Sequence, residues 1–194
     1  MCLEWDNDLG MLDREAVIAW YRRNRERTRM LFDLVAAGGG AGGDGAYYKR
    51  PIALRHPIVF YEGHLPAFSF NTLVKKALGG PSIDAQLEAI FARGIDPHES
   101  QTQGPASRLR QGFGAQEAGH YSSTGSNDRA GWPSRDEVHA FAAEADRRVL
   151  DALCRADLER PGHPLLDRAD AFFTILEHEA MHHETLLYMW HRLP

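Results

Sequence analysis

Apolar residues recur along this chain at helical spacing, with no alternating strand pattern. Over residues 13–36, Val17, Trp20, Tyr21, Thr28, Leu31 and Val35 fall on one side of a helix. Arg22, Arg23, Arg25, Glu26 and Arg29 fall on the other. Glu15, Glu26 and Asp33 are interspersed with these arginines, so that side reads as a solvated face and not as an anion site. A second helix is predicted from Pro57, since proline is favoured at the first helical position. It carries Ile58, Phe60, Tyr61, His64, Phe68 and Leu73 towards Leu78. Pro66 lies inside it, lacks an N–H, and is expected to kink or split it near His64. Gly79-Gly80-Pro81 ends the element, and a short helix over about 82–93 follows with Ile83, Leu87, Ile90 and Phe91 on its apolar side. The third long helix opens on Ser134 with Glu137 three residues on, the spacing of a capping box. Val138, Phe141, Ala142, Ala145, Val149, Leu150 and Leu153 hold its apolar face. The run Arg160-Pro161-Gly162-His163-Pro164 breaks the pattern, and a fourth long helix spans about 166–191.

The connections complete the plan. Residues 36–46 are glycine-rich and read as a linker. They are not a phosphate loop, which would end in Gly-Lys-Ser/Thr and run from a strand into a helix. Residues 97–131 are rich in Gly, Ser, Gln and Asn, with only Leu109, Phe113 and Tyr121 as large apolar residues. So long a stretch without a periodic pattern is expected to be a disordered insertion. Four long helices predict an all-α fold, a four-helix bundle whose one long crossover, 79–133, carries that insertion.

Bulk composition narrows the function classes. A chain of 194 residues suits one domain spanning 1–194. A net charge of −5 excludes a general nucleic-acid binder, which would show a basic face. No apolar run approaches the roughly 20 residues that span a bilayer, so no membrane partner is expected. The start, Met1-Cys2-Leu3-Glu4-Trp5-Asp6, lacks the charged and apolar regions of a signal peptide. Cys2 and Cys154 make neither a disulfide framework nor a zinc knuckle, and Cys154 is expected to be a small buried residue. Together these features predict a cytoplasmic protein.

The chemistry lies in Glu177-His178-Glu179-Ala180-Met181-His182-His183-Glu184, a polar block between apolar flanks. His178 and His182, four apart, project from one side of a helix, whereas His183 points about 100° away from His182. Neutral imidazole ligates iron, zinc, copper and nickel. A third ligand must come from another helix. His64 is the best placed, within a helix among apolar residues, while His56 precedes Pro57 at a helix start. His98 and His120 fall in the insertion, His163 in the Pro-Gly break, His139 on an exposed position, and His191 in the last turn.

Three assignments compete for this block. His178-Glu179-Ala180-Met181-His182 satisfies the H-E-x-x-H of zinc proteases, but Thr185 and Tyr188 stand where the metzincin extension needs Gly and His. A di-iron carboxylate bundle needs two E-x-x-H motifs, and only Glu179-Ala180-Met181-His182 is present. The third is a mononuclear site of His64, His178 and His182 with open positions for water, O2 or substrate. Zinc and iron both suit it, and the spacing does not choose between them.

At these residues the chain resembles a known family. Phe60-Tyr61-Glu62-Gly63-His64-Leu65-Pro66-Ala67-Phe68 resembles the W-H-x-[AG]-H-x-x-x-F segment of the DinB-like domain of ergothioneine sulfoxide synthases, with Phe60 and Tyr61 at its tryptophan and first histidine. His178-Glu179-Ala180-Met181-His182-His183-Glu184 resembles that family's H-E-x-x-H-Q-E segment, and the order and separation also match. The resemblance implies a DinB/YfiT-like bundle whose iron-ligating histidines fall on His64, His178 and His182. It implies Fe(II), which would bind O2 and a substrate thiolate. The reaction it implies is oxidative C–S bond formation, joining a small-molecule thiol such as cysteine or γ-glutamylcysteine to trimethylhistidine. Arg93 and Arg135 are candidates for the family's substrate-binding arginines. The family also carries a C-terminal domain resembling formylglycine-generating enzymes, which is absent here, so that domain or a partner chain is expected to complete the site. Stand-alone DinB/YfiT-like proteins use the same three histidines with Zn or Ni in thiol-dependent transfer or hydrolysis. A non-catalytic metal-binding bundle is the remaining alternative.

Deleting residues 100–130 is expected to leave the bundle folded. Thermal denaturation of the deletion variant checks this, and a large fall in Tm would mark the segment as structural.

Overall fold

The structure, a computed structural model, describes residues 12–38, 46–53, 55–92 and 131–193. The predicted insertion at 97–131 therefore lies outside the described residues except for Gly131, as does most of the glycine-rich linker. The described residues are helical, without a strand. They form α1 (Arg14–Gly38), α2 (Ile58–Ser69), a π-helix (Phe70–Ala77) that continues α2, α3 (Ala85–Phe91), α4 (Arg135–Arg155) and α5 (Asp170–Trp190).

Side-chain contacts give the directions. Trp20 meets Phe172, Asn24 donates to the Leu176 carbonyl at 3.3 Å, and Phe32 meets Trp190, so α1 and α5 run parallel. One apolar cluster joins the start of α1, the π-helix, the end of α4 and the start of α5, through Tyr21, Phe70, Leu73, Val149, Leu153 and Phe172. The other joins the opposite ends, through Phe32, Phe60, Leu65, Val138, Phe141 and Leu186. Thus α2 and α4 are parallel to each other and antiparallel to α1 and α5. An up-down-down-up order needs one long return between its two parallel neighbours. The return begins with α3, which brings Phe91 back to the second cluster.

Local signals account for most helix ends. Ser134 and Glu137 form the predicted capping box, each satisfying the other's backbone N–H. Asp84 accepts from the N–H groups of Gln86 and Leu87 and starts α3. Pro57 takes the N-cap of α2.

Four expectations need correction. Pro66 does not split α2; the irregularity comes after it, as the wider turns from Phe70. Every side chain from Ile58 to Ala67 is buried, and at roughly 1.5–3 kcal/mol for each large apolar one this outweighs the ~3 kcal/mol cost of a mid-helix proline. The last helix starts at Asp170 and not near 166, because Arg168 and Ala169 turn through the left-handed region at φ 52° and 59°. Cys154 is exposed, since it follows the inward-facing Leu153 on α4.

The fourth correction matters most. Arg25 is buried, not solvated. α1 packs against both α4 and α5, so its inner stripe is wider than its apolar residues and runs through Tyr21, Arg25, Thr28 and Phe32. Arg25 Nε donates to Asp146 Oδ1 at 2.8 Å on α4, and Nη1 donates to Glu179 Oε1 at 2.9 Å on α5. Tyr21 also donates to Asp146 Oδ1, at 2.7 Å.

Arg25→Ala strands the Glu179 carboxylate in the core and is expected to cost about 3–5 kcal/mol in urea unfolding. Arg22→Ala, on the exposed face, is expected to change stability by no more than about 0.5 kcal/mol. Equal small losses would return Arg25 to a solvated role.

Candidate metal centre

His178 and His182 stand one turn apart on α5, on the side facing α2, and His64 faces them from the middle of α2. Nε2 of His178 lies 3.2 Å from Nε2 of His64 and 3.2 Å from Nε2 of His182. One ligand nitrogen from each of the three residues falls within 4.8 Å of the others. His64 and His182 are buried, and His178 is partly open. This is the trio expected from the sequence, assembled from two helices.

The donor chemistry suits a cation. His64 donates Nδ1–H to the Phe91 carbonyl at 2.7 Å, which leaves its lone pair on Nε2. Nε2 of His178 can offer one N–H at most, so it cannot satisfy both neighbours at once. A metal ion in the middle would meet all three nitrogens as ligands. Burial, then His182 and His64, pushes the His178 imidazolium down to about 2. Burial, then the nearby His64, His183 and Arg55, pushes His182 down to about 3. Burial lowers His64 also, against the opposing pull of the Phe91 carbonyl. All three are neutral near pH 7, the form that ligates.

Aromatic side chains wall the trio. Phe68 stacks on His178 with ring centroids 3.5 Å apart and planes 9° apart. Phe60 stacks on His64 at 4.9 Å, and Tyr61 lies 5.8 Å from His182. Residues at i±4 on α2 thus limit the rotamers of His64, and Phe68 limits those of His178. His182 Nδ1 is buried without a hydrogen-bond partner among the described residues.

Glu179, between His178 and His182 in sequence, turns towards α1. It accepts from Arg25 and from Thr28 Oγ1 on α1. A protease glutamate must face the metal-bound water to act as general base, so this geometry removes the protease assignment. The di-iron assignment goes as well, since the cluster is made of histidines alone among the described residues. His183 also faces α1, with Nε2 2.8 Å from Thr28 Oγ1, as the 100° rotation requires.

The remaining histidines and the candidate arginines lie elsewhere. His139 is exposed yet places Nε2 3.1 Å from Glu62 Oε1, and His191 caps the exposed end of α5. His56 is buried against Phe60 and Trp132 ahead of α2. Arg135 pairs with Glu62 and lies over the Tyr47 ring, on the side of α2 turned towards α4. Arg93, His98 and His120 lie outside the described residues. The sequence pattern puts Arg25 on a solvated face, marks Phe91 only as apolar and does not single out Arg55. Only Arg25 left a trace, in the i, i+4, i+7 run Tyr21, Arg25, Thr28.

Residues 20–186 match the family model of the DinB superfamily. The chain belongs to this superfamily. Two relatives are called "Ergothioneine biosynthesis protein 1". The one from Neurospora crassa is 30% identical over 141 residues, 73% of this chain and 14% of that protein. The one from Schizosaccharomyces pombe is 29% identical over 146 residues, 74% of this chain and 16% of that protein. The matched part is therefore a small share of each relative. In this DinB-superfamily chain the matched region includes α2 and most of α5, and so all three clustered histidines.

His64→Ala, His178→Ala and His182→Ala are each expected to lower zinc or iron affinity by two orders of magnitude or more, as removal of one of three ligands requires. His183→Ala is expected to leave affinity unchanged and to cost about 1 kcal/mol of stability through the Thr28 contact. Isothermal titration of the four variants checks the affinities and urea unfolding checks the stability, and a loss of affinity with His183→Ala would break the helix-face argument.

Proposed function

We propose that this chain is the metal-binding DinB domain of an O2-dependent sulfoxide-synthase-like enzyme, of the kind that makes ergothioneine, with one Fe(II) on His64, His178 and His182. The convergence of three neutral imidazoles from α2 and α5 carries this reading, and the two relatives give it direction. Fe(II) bound there would supply O2 activation and a coordination position for a substrate thiolate. The chain's own residues hold the three lone pairs towards one point and keep the imidazoles unprotonated. The positive charge of Arg55 adds, after burial and the neighbouring histidines, to what disfavours protonation of His182. His178 is the partly open member and marks the side from which a small thiol enters.

A trimethylhistidine-like co-substrate is part of this proposal, as is completion of its pocket by a further domain or partner chain. The chain spans about a seventh of the relatives it matches, and the rest of those proteins is long enough to supply such a pocket. No helix among the described residues is long and apolar enough to cross a membrane. The proposed setting is the cytoplasm, where thiols stay reduced.

A second reading is a stand-alone Zn- or Ni-dependent thiol transferase or hydrolase of the same superfamily. The all-imidazole ligand set favours it, since three neutral nitrogens suit those metals as well.

Anaerobic reconstitution with equal Fe(II), Zn(II) and Ni(II), followed by metal analysis, separates the readings. One iron per chain, with an absorption spectrum that shifts on adding cysteine and with O2 uptake that needs the thiol, is the expected result. Exclusive retention of zinc or nickel without O2 uptake favours the second reading.

A further inference from the structure

Gly63, the residue before His64 on α2, meets a side chain from α3. A Cβ placed on Gly63 would lie 2.2 Å from Cζ of Phe91, 2.3 Å from Cε1 and 2.4 Å from Cε2. Contacts that short do not occur, so only hydrogen can stand there while the ring keeps its place. The ring has little room to move aside, because Phe91 is fully buried and also packs against Phe141 with centroids 5.7 Å apart. Its seat on the α2 backbone brings the carbonyl of the same residue to His64 Nδ1 at 2.7 Å.

The other end of α3 is fastened independently. Asp84 caps its first turn. Glu88 is buried and accepts from Ser82 Oγ at 2.7 Å, from the Ile83 N–H at 2.6 Å and from Lys75. The seven-residue helix is thus held at the π-helix side through Glu88 and at α2 through Phe91. A carbonyl can only accept, so the imidazole must present N–H at Nδ1, and Nε2 is left bare and turned towards His178.

We propose that Phe91 is a positioning residue for His64, its carbonyl setting the imidazole tautomer and orientation, and that Gly63 is the slot that lets the Phe91 ring dock. This rests on the metal reading of the three histidines. A partner that fixes the second nitrogen of a ligating histidine typically contributes 10–100-fold in metal affinity. Neither Gly63 nor Phe91 belongs to the histidine cluster, and the contact that links Phe91 to it is the carbonyl on His64 Nδ1.

The experiment uses the full chain, labelled with 15N, in wild-type, Gly63→Ala and Phe91→Leu forms. Long-range 15N–1H spectra of the metal-free protein read the His64 tautomer, and titration with Zn(II) against a chelating dye reads affinity. The wild type is expected to show His64 protonated at Nδ1. Gly63→Ala is expected to lose that single form and to raise the zinc Kd by about 10–100-fold. Phe91→Leu is expected to act in the same direction by a few-fold, since the carbonyl stays but its anchor is smaller. A wild-type His64 protonated at Nε2 overturns the proposal. So does a Gly63→Ala protein with unchanged Kd and a higher Tm, because alanine is the better helix former wherever nothing occupies the slot. If Gly63→Ala does not fold, Phe91→Leu decides, and an unchanged tautomer and Kd there overturn the proposal. If the wild type binds no zinc, iron or nickel, the metal reading falls, and the tautomers of the wild type and the variants still decide whether Phe91 orients His64.

Discussion

A guanidinium buried among three helices holds the rest in place. Arg25 sits on α1 and reaches Asp146 on α4 and Glu179 on α5. Desolvation of such a charge is expensive, and only close, hydrogen-bonded partners offset it. The two carboxylates do so, and they keep the Arg25 proton bound more tightly than usual despite burial. The pair therefore acts less as a source of stability than as a registry pin. With Glu179 held against α1, the adjoining side of α5 faces α2, and His178 and His182 lie there.

On that adjoining side the chemistry changes. The trio is lined with aromatic rings and, among the described residues, clusters without a carboxylate. Its histidines are kept neutral by burial and by one another. A site of this kind gives a divalent cation nitrogen donors without neutralising its charge. That leaves the metal electrophilic and receptive to an anionic ligand such as a thiolate. One helix thus presents a compensated charge towards α1 and uncharged donors towards α2, with Glu179 and His182 only three residues apart.

Much of this was legible in the chain. The i, i+4 spacing of His178 and His182 and the placing of His64 among apolar residues reflect simple helix geometry. The structure brings those three together and turns His183 away, as the rotation per residue demands. The Ser134–Glu137 box was legible because a cap is local. Arg25 was harder to read, because its partners lie 121 and 154 residues away and its alignment with Tyr21 and Thr28 is a faint mark among so many arginines. Phe91 was read as an apolar contact, which it is. Its carbonyl, the part that touches His64, is common to every residue and leaves no trace in composition. Pro66 misled because its local cost is fixed while the burial that overrides it is set by helices distant in sequence.

The sequence separation of the clustered histidines has a consequence for biosynthesis. His64 and His178 lie 114 residues apart, and His178 and His182 belong to α5. While the ribosome is still making α4, the emerging chain can offer a metal only the first of the three nitrogens. Full coordination waits until α5 has docked between α1 and α2, a contact of high sequence separation and so a late one. An ion that needs all three nitrogens would bind only once α5 has docked, and so would add its affinity to that step of folding.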